Sequence, residues 1–216
     1  MGPFLRLVPT PAATASAGEP GDEAAGEIGD EAGSDGARLV AGLKAGEAWA
    51  ARVLAAQYEE HVRRVLWRVL GGFDGDAADL AQETFERALR GIGQLNEARS
   101  LKAWLTQVAV FTAREEIRRR KRRRWMPFSS APEPSTAWAG PELQAAAEAV
   151  YRIFDRMPED ERLPFALRAM MGLDLEETAG ACAMSLATVR RRLERAERRF
   201  FKLAGEYEAL RPWLSP

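Results

Sequence analysis

The sequence predicts an all-α chain: two helical domains, a four-helix unit and a helix-turn-helix unit, joined by a proline-rich linker. Apolar residues recur at alternating spacings of three and four through most of the chain, as on helices that bury one side. Glycines, prolines and capping residues fall at the ends of those periodic stretches. One segment, 125–141, carries Pro127, Pro132, Pro134 and Pro141, has no helical period and divides the chain in two.

Residues 1–35 are rich in Ala, Gly, Pro, Glu and Asp. So few large apolar side chains do not offset the entropy of ordering, and the segment reads as a disordered acidic extension. The four-helix unit, 36–124, follows. Its first helix is predicted from Ala37, with Ser34 or Asp35 as cap. The second runs from Glu47 to Leu70, with Val53, Leu54, Tyr58, Val62, Val65, Leu66 and Val69 at helical spacing, and ends at Gly71 and Gly72. His61, among Glu59, Glu60, Arg63 and Arg64, reads as a surface residue.

Asp76 is expected to cap a third helix from Ala77 to about Ile92, burying Ala78, Ala81, Phe85, Ala88, Leu89 and Ile92. Asp79, Gln82, Glu83, Glu86, Arg87 and Arg90 lie outside that stripe. Such a row is either solvated or docks a protein partner through charge-assisted hydrogen bonds. Residues 91–99 read as a loop, and Ser100 as the cap of a fourth helix with Leu101, Trp104, Leu105, Val108 and Thr112 inward and Lys102 and Arg114 outward. This helix runs out into Arg118–Arg124. A basic run near Trp104, Phe111 and Trp125 suits a single nucleic-acid strand, whose bases stack on aromatic rings. A solvated helix end is the alternative, and Trp104 reads equally well as core.

Beyond the linker, in the unit 142–204, Glu142 to Asp155 reads as a helix with Leu143, Ala147, Val150, Tyr151 and Phe154 inward. Pro158 starts another, with acids in its first turn, and Gly172 stops it. Pro164 is expected to kink that helix or delay its start. The stretch Asp174–Lys202 then reads as two helices with a turn near Ala183–Ser185. Leu186, Val189, Leu193, Ala196, Phe200 and Leu203 form one stripe of the second; Ala187, Arg191, Glu194, Arg195, Arg198 and Lys202 fall opposite. Ser185 supplies the N-cap hydroxyl, and Cys182 and Met184 are core contacts where the helices meet. Residues 185–202 carry seven Arg or Lys against two Glu. In a helix-turn-helix the second helix enters the major groove; an amphipathic hairpin with a solvated basic face is the plainer reading. Residues 205–216 form a tail.

The net charge of −1 hides a segregation: seven acids against one Arg in residues 1–36, nine bases against two acids in 102–124. A near-neutral total therefore leaves room for a polyanionic partner. Cys182 and His61 are the only residues of their kinds, which excludes an internal disulfide and a common zinc site, and their distance in sequence argues against a Cys–His catalytic pair. No phosphate-cradling glycine loop, HExxH or Ser/His/Asp set is present, so no enzyme, cofactor or metal is expected. No apolar run approaches the roughly 20 residues that span a bilayer, and the apolar start is too short for a secretory signal. A cytoplasmic protein without membrane insertion is expected.

Two stretches together carry a resemblance. DAADLAQETFERAL (76–89) with SLKAWLTQVA (100–109) and the basic helix end resembles region 2 of bacterial sigma factors. MPEDER with MMGLDLEETAGACAMSLATVRRRLERA (157–196) resembles their region 4. A proline-rich linker with no intervening domain is the layout of the extracytoplasmic-function (ECF) group. The resemblance implies a sigma factor that binds core RNA polymerase and directs promoter recognition, local melting and initiation. By position, Asp79, Gln82, Glu83 and Arg87 should dock on the largest-subunit coiled coil. The loop Gln94–Arg99 with Lys102, Trp104, Arg114 and Arg118 should meet the −10 element, where a flipped base is captured. Ser185, Thr188, Arg190, Arg191, Arg192 and Arg195 should meet the −35 duplex. Anti-sigma proteins usually hold the group inactive. Three residues depart from the pattern: Phe111 stands where Asn is common, Pro164 interrupts a usually continuous helix, and Glu194 occupies a position that can face DNA. The competing reading is a stand-alone helix-turn-helix regulator that binds duplex operators.

Overall fold

The three-and-four spacing is realised as helix in a computed structural model of the chain, which describes residues 31–71, 77–95, 101–124 and 141–214; no strand occurs among them. The elements are α1 (Glu31–Lys44), α2 (Ala48–Leu70), α3 (Ala77–Gly91) with a 3-10 turn at Ile92–Gln94, and α4 (Leu101–Arg124). They continue with α5 (Pro141–Arg156), α6 (Glu159–Met171), α7 (Leu175–Cys182), α8 (Leu186–Ala204), a 3-10 turn at Glu208–Leu210 and α9 (Arg211–Leu214). The expected caps Asp76 and Ser100, residues 96–99 of the loop, the linker up to Gly140 and the N-terminal extension to residue 30 lie outside the described residues. α1 starts earlier than its apolar pattern, at Glu31, so Ser34 and Asp35 fall within the helix rather than before it.

Two clusters hold the helices. The smaller gathers Leu39 and Leu43 of α1 with Leu54, Ala88, Ile92, Leu95, Trp104 and Leu105. The larger joins Val62, Val65, Leu66 and Val69 of α2 and Ala109, Val110, Ala113 and Ile117 of α4 to Phe154, Leu163, Leu167 and Phe200. The two halves of the chain thus share one core, with α2 against α6 and α4 against α7. Trp67, Tyr151, Phe154 and Phe165 continue it as successive edge-to-face pairs with centroids 5.8–6.1 Å apart.

The buried stripes are narrower than the spacing suggested. Val53 is 42% exposed and Leu89 38%, whereas Leu80 and Thr84 are buried. α3 is rotated so that Leu80, Ala81, Thr84 and Ala88 face α2 and α4. The Thr84 hydroxyl meets its buried need by donating to the Leu80 carbonyl at 2.8 Å. α6 starts at Glu159 and runs through Pro164, so the proline does not delay it; it removes one N–H that Asp160 would otherwise accept.

Gly71 ends α2 in the left-handed region, φ 86°, donating to the Trp67 carbonyl at 2.8 Å. A Cβ there would lie 2.3 Å from the Tyr151 ring. Strain and overpacking coincide, so Gly71→Ala should lower unfolding stability by at least about 2 kcal/mol, measurable by urea titration. A loss near zero would mean that Tyr151 is free to move away.

Candidate nucleic-acid interface

The basic helix α8 is built from both ends. At its start Ser185 is extended, φ −72° and ψ 152°, and its Oγ accepts from the Thr188 N–H at 3.2 Å while meeting Thr188 Oγ1 at 2.9 Å. The preceding α7 is held by a capping box: Asp174 accepts from the Glu177 N–H at 2.8 Å, and Glu177 accepts from the Asp174 N–H at 2.7 Å. Between them Ala183 takes φ 52°, the sole non-glycine positive φ among the described residues. Cys182 is buried where α7 and α8 meet, and burial pushes its thiol up to about 12, so it stays protonated and unreactive.

α8 buries Val189, Leu193, Ala196, Phe200 and Leu203, leaving Leu186 37% exposed at its first turn. Ser185, Arg190, Arg191, Arg195 and Arg198 are exposed, and among the described residues none of these arginines pairs with a carboxylate. Arg192 is different: it is half-buried and bound to Asp160 at 2.5 Å. The first turn of α6 acts as an anchor, since Glu159, Asp160 and Glu161 take Arg118, Arg192 and Arg199 respectively.

α4 carries the other set. Lys102 is exposed at its start, but Trp104 is 7% exposed and packs with α1 and the Ile92 turn, so its ring is core. Arg114 reaches the Cys182 carbonyl at 3.4 Å. The Arg118 Nε meets both Glu159 oxygens, at 2.8 and 3.0 Å. Arg120 is paired with buried Glu116 at 2.8 Å.

The outer row of α3 presents Asp79 and Gln82, the latter donating to Glu86 at 3.0 Å. Glu83 and Arg87 pair, and Arg87 also binds Glu115 of α4 and lies 5.3 Å from the centre of the exposed Phe111 ring. Arg87 therefore ties α3 to α4 as well as facing outward.

His61 is half-buried rather than fully exposed. Its Nε2 meets Thr106 Oγ1 at 2.8 Å, and that hydroxyl donates to the Lys102 carbonyl at 2.9 Å. The threonine proton is thus used, and the network assigns the imidazole proton to Nε2. The sequence missed this because α4 crosses over a neighbourhood that is polar along α2. Together with Arg64, Arg68 and Lys102, His61 lines a cleft of about 640 Å³ closed on its far side by Leu173, Glu176 and Glu177. Burial, then Lys102 and Arg64, lower the His61 pKa to about 4. A depressed folded-state value means that the unfolded chain binds more protons between about 4 and 6.5. Stability should therefore fall as pH drops through that window. His61→Gln should flatten the fall in Tm, and an unchanged slope would reassign it to the carboxylates.

Both halves match known proteins. Residues 54–123 match the family model described as Sigma-70 region 2, and residues 147–200 the one described as Sigma-70, region 4, together more than half of the chain. The ECF RNA polymerase sigma-E factor of Escherichia coli strain K12 is 28% identical over 170 residues, 73% of this chain and 88% of that protein. The ECF RNA polymerase sigma factor EcfG of Rhodopseudomonas palustris is 28% identical over 127 residues, 59% of this chain and 70% of that one. In fold, the chain is similar to CnrH solved with the cytosolic domain of CnrY, at TM-score 0.57 and 20% identity over 79% of this chain and 97% of that one. It is also similar to the sigma factor RpoE solved with the anti-sigma factor NepR from Bartonella quintana, at TM-score 0.51 and 20% identity over 70% and 94%.

Proposed function

This chain belongs to the sigma-70 family, in its extracytoplasmic-function group, and we propose on that premise how its surfaces divide the work of a sigma factor. It binds core RNA polymerase and directs promoter recognition, melting and initiation; synthesis is the polymerase's own task. The observation that carries the reading is the pairing of both sigma regions in one chain, with the second ending in a capped basic helix.

The exposed α3 residues Asp79 and Gln82, with the Glu83–Arg87 pair beside them, are the docking face for core polymerase. Ser185, Thr188, Arg190, Arg191 and Arg195 read the −35 duplex: they sit on the first three turns of α8, the part of a recognition helix that reaches base edges. Arginine matches guanine O6 and N7 in bidentate fashion. Arg192, bound to Asp160, holds α8 on α6 and supports that face from behind. Lys102, Arg114 and Arg118 track the −10 strand, while Trp104 shapes the ground under Lys102 from within the core. The site of action is the cytoplasm, and no helix among the described residues is long and apolar enough to cross a membrane. CnrH was solved with the cytosolic domain of CnrY and the sigma factor RpoE with the anti-sigma factor NepR, and a partner of the anti-sigma kind is proposed here too.

Reconstitution with purified core polymerase tests the reading. A run-off transcript that depends on this chain, together with a complex on gel filtration, is the expected result. If neither forms while the free protein holds a duplex operator as a dimer, the chain is a stand-alone regulator.

A further inference from the structure

His61, Arg64 and Arg68 are spaced three and four residues apart, so they share one stripe of α2. α4 brings Lys102 to that stripe, and the four line one wall of the cleft of about 640 Å³. Arg64, Arg68 and Lys102 carry a fixed positive charge. Arg64 pairs with Glu60 one turn away at 3.1 Å, but the pair is exposed, and such pairs open at little cost. Lys102 is exposed and has no carboxylate partner among the described residues. Like charges gathered in a walled cleft focus a positive potential that draws in an anion.

The opposite wall differs in kind. Met171 and Leu173 are half-buried and apolar. Glu176 is exposed beside them and has no cation partner among the described residues. Glu177 is already engaged, accepting from the Asp174 N–H at 2.7 Å, so Glu176 is the carboxylate left for a ligand. Gly180 makes the room: a Cβ there would meet nothing within 4 Å. The cleft therefore suits a molecule with phosphates at one end and a flat, donor-bearing ring at the other. Guanine is the base that offers two adjacent donors, its N1–H and its 2-amino group, to the two oxygens of one carboxylate. The volume lies within the range of roughly 300–1,000 Å³ usual for small-molecule sites.

We propose that this cleft binds a guanine nucleotide, its phosphates on Arg64, Arg68 and Lys102 and its base on Glu176. Binding needs neither polymerase nor DNA. Lys102 is also assigned above to the −10 strand, so a seated nucleotide and a promoter strand compete for it; that consequence alone rests on the sigma reading.

His61 is the only histidine of the chain, so its ring proton between the two nitrogens gives a single NMR signal from the cleft wall. Titrating the untagged, full chain with guanosine diphosphate (GDP) should shift this signal saturably. Lys102→Ala should weaken GDP about tenfold, the loss of one charge-assisted hydrogen bond. Gly180→Leu replaces a helical glycine and fills the cleft, so it should keep the fold and abolish the shift. Glu176→Gln should weaken GDP by a similar factor and leave inorganic pyrophosphate unchanged, which separates base from phosphate. Arg63→Gln, at an exposed position outside the cleft, is the control and should leave affinity unchanged. No saturable shift at millimolar GDP, a shift that survives Gly180→Leu, or pyrophosphate binding as tightly as GDP overturns the proposal. An oligothymidine strand that binds as tightly as GDP overturns it too, since the cleft would then be a track for DNA phosphates. The sigma reading is judged on a transcript, so the two can fail separately.

Discussion

Replacing Arg162 with methionine should destabilise the fold by about 3–5 kcal/mol, the usual cost of removing one member of a buried charged network. The guanidinium is 2% exposed and serves three acceptors: the Val69 and Leu70 carbonyls and the Asp155 carboxylate, the last at 2.9 Å. It also lies 5.6 Å from the centre of the Phe154 ring. Burial lowers its pKa and Asp155 pulls it back, so the charge is retained by its partner. Methionine fills much of the volume and donates nothing. Arg120, 3.4 Å from the Leu70 carbonyl, is too distant to replace the lost bonds fully. The Val69 carbonyl then stays buried without this donor, which is the expensive half of the change. Urea unfolding followed by circular dichroism measures it. The double variant Arg162→Met, Asp155→Leu separates charge from shape: it should recover part of the loss, because both ends of the pair are then apolar. A loss below about 1 kcal/mol in the single variant would show that water reaches the end of α2.

The sequence made the helices legible because their spacing is set by local chemistry. α8 is the clearest case: Val189, Leu193, Ala196, Phe200 and Leu203 mark the buried stripe, and Ser185 caps it as its hydroxyl implied. What spacing does not encode is which second helix covers a given side. Val53 has the right period and remains exposed, while Thr84, outside the expected stripe, is buried because α3 is turned toward α2 and α4. His61 looked solvated among charges until α4 brought Thr106 to it from 45 residues away. The candidate site divides likewise. Arg190, Arg191 and Arg195 are where a helical wheel puts them, exposed. Arg192, one residue on, was grouped with them, and its tie to Asp160 depends on a helix whose distance in sequence gives no hint of contact. The pairing of Arg118 of α4 with Glu159 in the first turn of α6 is wholly a matter of tertiary packing: a basic helix end and an acidic helix start are visible separately, but not their meeting.

Arg191→Ala in the reconstituted holoenzyme should relax −35 preference without much changing how binding responds to salt. The side chain is exposed near the start of α8, has no carboxylate partner among the described residues, and so is available for a base edge. One bidentate contact supplies about 1–3 kcal/mol of discrimination, so the ratio between best and mutated −35 sequences should fall by about tenfold or more. Neutralising Arg118 and Arg122 of α4 should do the opposite. Both are exposed along a helix end whose charge is dense and unpatterned, suited to phosphates rather than bases. Their loss should weaken every promoter alike and flatten the slope of log affinity against log salt by about 0.7–0.9 per contact removed. Glu194 sharpens the contrast, because it shares the exposed side of α8: a carboxylate there repels backbone phosphate and accepts from cytosine N4. Competition binding on a promoter library at two salt concentrations reads both quantities at once. A uniform, salt-sensitive loss from Arg191→Ala would move it from the base-reading set to the phosphate-holding set, and α8 would then grip the duplex without reading it.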